Sequence, residues 1–267
     1  MFTMLNLVQP DTLEEAYHIL TEKRNNTILG GCAFLKMGKK RINTGIDLSR
    51  LKLNDIREQN GYIEIGAMSS LRDVETHSLL KEHFNGVLPQ SVRDIIGVQF
   101  RNGVTVGASV YSRYGFSDLL TALLTLGTEV ELYKAGRMPL MDFLAKPIEK
   151  DFMVKLWLKK AKYQASFLSF RNSASDYSVI NVAVSRLDNQ WKIAVGSRPS
   201  KAALAFNAAR RLSQDVPTID VIEEAALITS EELSFGTNSR GTAAYRKALC
   251  RVLVKRGIME VLECKSN

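Results

Sequence analysis

The chain has 267 residues, of which 45% are hydrophobic, 8% aromatic and 24% charged, and its formal net charge is +8. This composition is typical of a folded globular protein of one or two domains and excludes a disordered or fibrous chain. No apolar run approaches the roughly 20 residues of a membrane-spanning helix, and the N-terminal sequence lacks a signal-peptide pattern. The expected location is therefore the cytoplasm, away from the membrane.

The cysteines, histidines and basic residues restrict the chemistry further. Cys32, Cys250 and Cys264 lie far apart without a CxxC pair, so the sequence predicts no iron–sulfur cluster, zinc site or disulfide framework on this chain. The histidines show no metal-ligand spacing, and no hydrolase motif is present. Lysines and arginines are scattered, which favours solvated faces, and a basic nucleic-acid binder is the weaker alternative.

The first segment, over about residues 1–55, is predicted to form a small β/α lobe. DTLEEAYHIL begins with a helix-capping residue and carries apolar residues at helical spacing. NTILGG is typical of a short strand that ends in two glycines, and INTGIDLSRL of a strand followed by a turn.

The second segment, over about residues 56–160, mixes strand and helix patterns. GYIEIGAMSSL predicts a strand, LRDVETHSLL and LPQSVRDIIG predict helices, and VTVGASV predicts a strand. DLLTALLTLG predicts an apolar helix, TEVELYKAGRMPL a hairpin that turns at Lys134–Gly136, and FMVKLWL a strand.

The third segment, residues 161–267, begins with two antiparallel strands in YSVINVAVSRLDNQWKIAVGS, joined at Asp188 and Asn189. Helices are predicted in KAALAFNAARRL, TIDVIEEAAL and GTAAYRKALCRVLVKRGIMEVL. The most natural domain boundary therefore lies near residue 160. It separates residues 1–160, with lobes at about 1–55 and 56–160, from residues 161–267.

Two glycine turns carry the strongest functional pattern. The first glycine turn is LGGCAF (Leu29–Phe34), and the second glycine turn is TVGAS (Thr105–Ser109), each predicted at the end of an apolar strand. Consecutive backbone N–H groups in such turns can bind an anion, and glycine lets the backbone approach a diphosphate closely. Either turn alone is also typical of a tight connection. Together with Ser117 and Asp118 at the head of the next helix, they form a pattern.

This order of motifs resembles the FAD-binding subunit of the molybdenum hydroxylases, the medium subunit family of xanthine dehydrogenase and carbon monoxide dehydrogenase. In that family a loop of the type GGT-D/S-L grips the diphosphate. A second segment, R-N-x-x-T-I-G-G-N followed by an aspartate and an apolar helix, holds the rest. The corresponding residues here are Gly30–Phe34, Arg101–Ser109 and Ser117-Asp118. LLTLGTEVEL, NVAVSRL and RGTAAYRKALCRVLVKR also look like family segments, so the resemblance covers almost the whole chain.

The resemblance implies an α+β fold. A two-lobed vanillyl-alcohol-oxidase-type FAD-binding domain would be followed by a CO-dehydrogenase-flavoprotein-like C-terminal domain of antiparallel sheet plus helices. The implied function is that of a xanthine dehydrogenase-like oxidoreductase subunit, which passes electrons from iron–sulfur clusters through FAD to NAD or another acceptor. A 2Fe-2S small subunit and a molybdopterin-binding large subunit would be separate partners.

The resemblance also implies a set of FAD-contacting residues that contains no catalytic residue and no metal ligand. Backbone amides of Gly30–Phe34 and Gly107–Ser109 would hold the diphosphate. Ile95 or Ile96 and Met153 would lie against the flavin ring, with Arg171 near its polar edge. Asp118 would accept hydrogen bonds from cofactor hydroxyls, or would instead only cap its helix. The full predicted set is Thr27, Ile28, Leu29, Gly30, Gly31, Cys32, Ala33, Phe34, Ile95, Thr105, Val106, Gly107, Ala108, Ser109, Ser117, Asp118, Met153 and Arg171.

The chain departs from the family pattern in both glycine turns. Cys32-Ala33 replaces a polar pair, and Ala108-Ser109 replaces glycine and asparagine. Each lost hydrogen bond is worth roughly 0.5–1.5 kcal/mol, so two or three losses would weaken cofactor binding about 10- to 1000-fold. An FAD-deficient scaffold or assembly subunit of the same kind of complex is therefore the alternative function.

Overall fold

The computed structural model describes residues 1–147 and 149–264, in which helices and strands are interspersed. The part before residue 128 contains β1 (Thr3–Val8), α1 (Leu13–Glu22), β2 (Thr27–Leu29), β3 (Arg41–Asp47), β4 (Ile56–Gln59), β5 (Tyr62–Gly66), α2 (Leu71–Thr76), α3 (Ser78–Glu82), α4 (Val87–Arg93), α5 (Val98–Gly103), α6 (Val106–Tyr111) and α7 (Asp118–Thr125). The part after it contains β6 (Glu129–Leu132), β7 (Gly136–Pro139), α8 (Leu140–Ala145), β8 (Met153–Lys159), β9 (Gln164–Arg171), β10 (Ser178–Leu187), β11 (Gln190–Gly196), β12 (Ala203–Leu204), α9 (Phe206–Gln214), α10 (Ile219–Glu232) and α11 (Ala243–Glu263). Within these described ranges, the structure has no helix with the length and apolar character needed to cross a membrane.

The chain forms two compact units that do not follow its sequence order. Unit 1 consists of Met1–Asp73, Val98–Ser112 and Thr128–Leu158. Unit 2 consists of Val74–Gly97, Arg113–Gly127 and the chain from Lys159 onward. Two segments from the N-terminal half thus join the C-terminal unit. The domain boundary near residue 160 stays a prediction, and residues 265–267 of its second domain lie outside the described residues.

Unit 1 contains two sheets. The strands β1, β3 and β2 form a parallel sheet in that order, and a five-stranded sheet has the order β4-β5-β8-β6-β7. Helix α1 is capped by Thr12, whose side chain accepts a hydrogen bond from the Glu15 amide and so satisfies one of the free donors of the first turn. The apolar face of α1 buries Ala16 and Leu20 in a core that also contains Ile46 of β3.

Unit 2 contains an antiparallel sheet of order β12-β11-β10-β9, in which β12 has only two residues. Strand β10 is buried from Ser178 to Ser185, because helices contact it on both faces. On one face its apolar residues, such as Val182, join the core formed with α9, α10 and α11. On the other face Asn181 and Ser185 form hydrogen bonds with residues of α7. The mixture of helices and sheets confirms the predicted α+β class.

One predicted element is wrong, and it lies in the second glycine turn. VTVGASV was expected to be a strand, but α6 begins at Val106. Thr105 has extended backbone angles and its Oγ1 accepts a hydrogen bond from the Ala108 amide, so it caps the helix. Periodicity alone does not separate a short buried strand from a short buried helix, and the cap decides here.

The remaining differences are smaller. LRDVETHSLL forms two short helices that break at His77 rather than one. Strands β1, β4, β9 and β12 were not among the predicted elements. The α7 helix, the hairpin of β6 and β7, the strand β8, the β10–β11 pair and the three C-terminal helices are confirmed.

Candidate functional site

A cavity of about 490 Å³ lies within unit 1, and both glycine turns contribute to its wall. Strand β2 leads into the first turn, and the N-terminus of α6 forms the second. Part of the cavity wall comes from the segment that precedes and begins β8. The cavity is lined, among the predicted residues, by Thr27, Ile28, Leu29, Gly30, Thr105, Gly107, Ala108 and Met153.

The two glycine turns touch each other directly. A Cβ on Gly30 would lie 2.5 Å from the Cβ of Ala108 and 2.9 Å from Oγ1 of Thr105. A Cβ on Gly31, whose φ is 79°, would overlap the carbonyl oxygen of Gly103. Glycine is therefore required at both positions, and Ala108 fits because Gly30 has no side chain.

The amides of the second glycine turn are already paired inside unit 1. The Gly107 amide donates to the carbonyl oxygen of Ala67 at 2.8 Å. The Ala108 amide donates to Oγ1 of Thr105 at 3.2 Å, and the Ser109 amide donates to the Thr105 carbonyl oxygen at 3.0 Å. These bonds fix the second turn as a rigid part of the wall.

The first glycine turn contains backbone amides that are available as hydrogen-bond donors. The amides of Cys32 and Ala33 donate to no acceptor within residues 1–147 and 149–264. Cys32 has a φ of 56°, directly after the left-handed Gly31, and such a conformation is uncommon for a residue with a side chain. Successive N–H groups in left-handed turns are typical anion-binding concavities. Burial raises the pKa of the half-buried Cys32 thiol, which keeps it neutral beside such a site.

Asp118 lies in unit 2, where its carboxylate is the acceptor of a buried network. It accepts hydrogen bonds from Oγ of Ser178 at 2.6 Å and from the side-chain amide of Asn181, and it forms an ion pair with Arg171. Burial raises the pKa of the Asp118 carboxyl, and the charge of Arg171 opposes that shift. The helix cap is Ser117, whose Oγ accepts a hydrogen bond from the amide of the third helical residue.

The predicted residues therefore lie in three places: at the unit 1 cavity, elsewhere in unit 1, and in unit 2. Those that line the unit 1 cavity are given above. Others belong to unit 1 but do not line the cavity, namely Gly31, Cys32, Ala33, Phe34, Val106 and Ser109. The rest belong to unit 2, namely Ile95, Ser117, Asp118 and Arg171. The sequence analysis missed Arg24, Lys40 and Lys150, which also line the cavity and which no local motif marks.

Comparison with protein families gives two matches that together span nearly the whole chain. Residues 3–156 match the FAD binding domain in molybdopterin dehydrogenase. Residues 165–261 match the CO dehydrogenase flavoprotein C-terminal domain.

Among similar proteins, the glyceraldehyde dehydrogenase medium chain of Sulfolobus acidocaldarius is 23% identical, with 95% of this chain and 97% of that protein covered. The nicotine 6-hydroxylase medium subunit of Paenarthrobacter nicotinovorans is 24% identical, with 96% of each chain covered. A chain in the structure of carbon monoxide dehydrogenase from Hydrogenophaga pseudoflava is 20% identical and superimposes with a TM-score of 0.90, with 98% of this chain and 99% of that chain covered. This last likeness confirms the predicted fold.

The contact between the glycine turns predicts a difference between two neighbouring glycine variants. Gly31→Ala should destabilise the chain by at least roughly 1–2 kcal/mol, because an L-residue at this positive φ is strained and its Cβ meets the backbone. It should also lower the FAD content after gel filtration. Gly103→Ala is the matched control, since a Cβ there meets nothing within 4 Å. Thermal unfolding and released flavin measure both effects, and equal behaviour of the two variants would contradict the packed-turn geometry.

The buried ion pair predicts a second result. Arg171→Ala should destabilise the chain by about 3–5 kcal/mol in urea unfolding, because it leaves the Asp118 carboxylate buried without its cation. Adding Asp118→Asn should recover part of that loss. Lys255→Ala removes a partly exposed ion pair in the same unit and should cost only about 0.2–1 kcal/mol. Similar losses for Arg171→Ala and Lys255→Ala would refute the buried-network account.

Proposed function

The chain belongs to the family of FAD-binding domains in molybdopterin dehydrogenases, its cofactor is FAD, and we propose that it carries electrons within a multi-subunit molybdenum hydroxylase. Electrons arrive from iron–sulfur clusters on another subunit and leave through FAD to NAD or another acceptor. The observation that carries this proposal is the single wall made by the two glycine turns at a cavity in unit 1.

The residues at the cavity fit a dinucleotide cofactor. A volume of about 490 Å³ is within the usual range for cofactor pockets. Just after Gly30, which lines the cavity, the amides of Cys32 and Ala33 have no acceptor among the described residues and can donate to a phosphate. Bound FAD supplies the electron-transfer chemistry, while the protein binds and orients it.

The backbone hydrogen bonds within the chain limit which amides can donate to the diphosphate. The amides of Gly107, Ala108 and Ser109 are already bonded within the chain, so we assign them the shaping of the wall. The remaining donors that we propose are the amides of Cys32 and Ala33. Met153 and Ile95 are proposed to lie against the flavin ring, and Arg171 near its polar edge. The Asp118 carboxylate accepts from Ser178, Asn181 and Arg171, which leaves one of its roughly four acceptor positions for a cofactor hydroxyl, and this role stays a prediction.

The proposed partners are a molybdopterin-binding large subunit and a 2Fe-2S small subunit. The names of the relatives support this, since one is a medium chain and another a medium subunit. We propose a xanthine dehydrogenase-like assembly in the cytoplasm, without a role in nucleic-acid or membrane binding. In this assembly residues 1–160 would hold FAD and residues 161–267 would form the C-terminal flavoprotein domain, a division supported by family matches to residues 3–156 and 165–261.

The alternative function is a scaffold or assembly subunit that lacks FAD. Its specific support is the chemistry of both glycine turns, where Cys32, Ala33 and Ala108 carry no hydroxyl or carboxylate that could bond the cofactor. The backbone donors of the first glycine turn favour the electron-transfer proposal instead, because a site built from amides does not depend on side-chain identity.

Flavin content and reduction separate the two functions. The chain isolated with its partner subunits should release one FAD per chain on denaturation, and anaerobic NADH should bleach the flavin absorbance. Retention of FAD that is not bleached by NADH but is reduced by a quinol or a reduced ferredoxin would identify a different electron outlet. Assembly of the complex with no flavin, before and after incubation with FAD, would refute the electron-transfer proposal and support the scaffold.

A further inference from the structure

Three cationic side chains line the unit 1 cavity. Arg24 follows α1, Lys40 precedes β3 and Lys150 precedes β8, and all three line the cavity with the glycine turns. None of the three forms an ion pair with a carboxylate in the part of the chain that the structure describes. Cations gathered at a concave site without carboxylate partners are typical of anion binding.

The ammonium of Lys150 is held in place by the protein. It donates a hydrogen bond to the carbonyl oxygen of Lys23, the residue next to Arg24. Burial and the nearby charge of Lys40 lower the pKa of Lys150, which indicates that the two ammonium groups feel each other. The repulsion between these groups would fall if an anion lay between them.

Two carboxylates, those of Glu149 and Asp151, also lie at the cavity, and they offset the charge of the three cations only in part. Asp151 accepts hydrogen bonds from the amides of Lys134, Ala135 and Phe152, so its carboxylate is occupied by the hairpin turn and by the next residue in the chain. Glu149 is exposed and forms no ion pair with the three cations. The net charge contributed by the five side chains remains positive.

We infer that Arg24, Lys40 and Lys150 form a cationic cluster that holds the diphosphate of bound FAD. This inference rests on the proposed function and adds positively charged side chains to the proposed FAD site. The first glycine turn supplies neutral amide donors, and its side chains at Cys32 and Ala33 add no charge. A diphosphate carries negative charge that amides alone solvate only in part, and the cluster lies in the same cavity. The cluster thus supplies charge that the side chains of Cys32, Ala33 and Ala108 do not.

The test compares two flavins that differ in the diphosphate. Fluorescence titration of the full chain gives the dissociation constants of FAD and of riboflavin, which has no phosphate. Lys40→Gln and Lys150→Gln should each weaken FAD binding about tenfold or more, because each removes a charge-assisted contact. Riboflavin binding should not change. Added salt should weaken FAD binding to the wild type more than to either variant.

Lys39→Gln is the matched control, because Lys39 is exposed, has the same charge and does not line the cavity. It should leave both dissociation constants unchanged. Equal FAD affinity for the wild type and both cavity variants would overturn this inference and leave the proposed function intact. Equal weakening of FAD and riboflavin would also overturn it, by showing an effect on cavity shape. Absence of FAD binding by the wild type would overturn the proposed function together with this inference.

Discussion

The site in unit 1 depends on the direct contact between two glycine turns that are far apart in sequence. Gly30 lies against Ala108 and Thr105, and Gly31 lies against the backbone of Gly103, so that neither glycine has room for a side chain. Because the backbones meet, the turns form one continuous wall. Gly30 and Ala108 in that wall line the cavity together with the cationic cluster, and the amide donors of Cys32 and Ala33 follow Gly30 in the first turn.

The two glycine turns have different roles in the site. The second turn contains the start of helix α6. Its amides donate hydrogen bonds to oxygens of Thr105 and Ala67, and these bonds make the turn rigid. In the first turn, where the backbone is left-handed at Gly31 and Cys32, the amides of Cys32 and Ala33 have no acceptor in the described part of the chain. Unit 2 has its own buried polar centre, where Asp118 joins α7 to β9 and β10. The family departures at Cys32 and Ala108 are thus compatible with a site whose contacts come from backbone and distant charges.

Much of the fold and part of the site were predictable because they depend on local patterns. The apolar helix α7 and the hairpin of β6 and β7 follow from periodicity and turn residues, and the glycine turns follow from motifs. The start of α6 was misassigned because apolar β-branched residues favour a strand until the cap at Thr105 is considered. Lys40 and Lys150 carry no motif, and only the tertiary fold brings them to one cavity. The same holds for the internal partners of Asp118, which come from strands far along the chain.

Hydrogen–deuterium exchange with and without FAD tests most directly whether the first glycine turn holds the cofactor. The amides of Cys32 and Ala33 donate to no acceptor among the described residues, so they should exchange rapidly in the free chain. Added FAD should slow exchange in a peptide that covers residues 29–34, while the buried strand β10 should show no change. FAD binding without protection of residues 29–34, or with protection confined to other segments, would contradict the account.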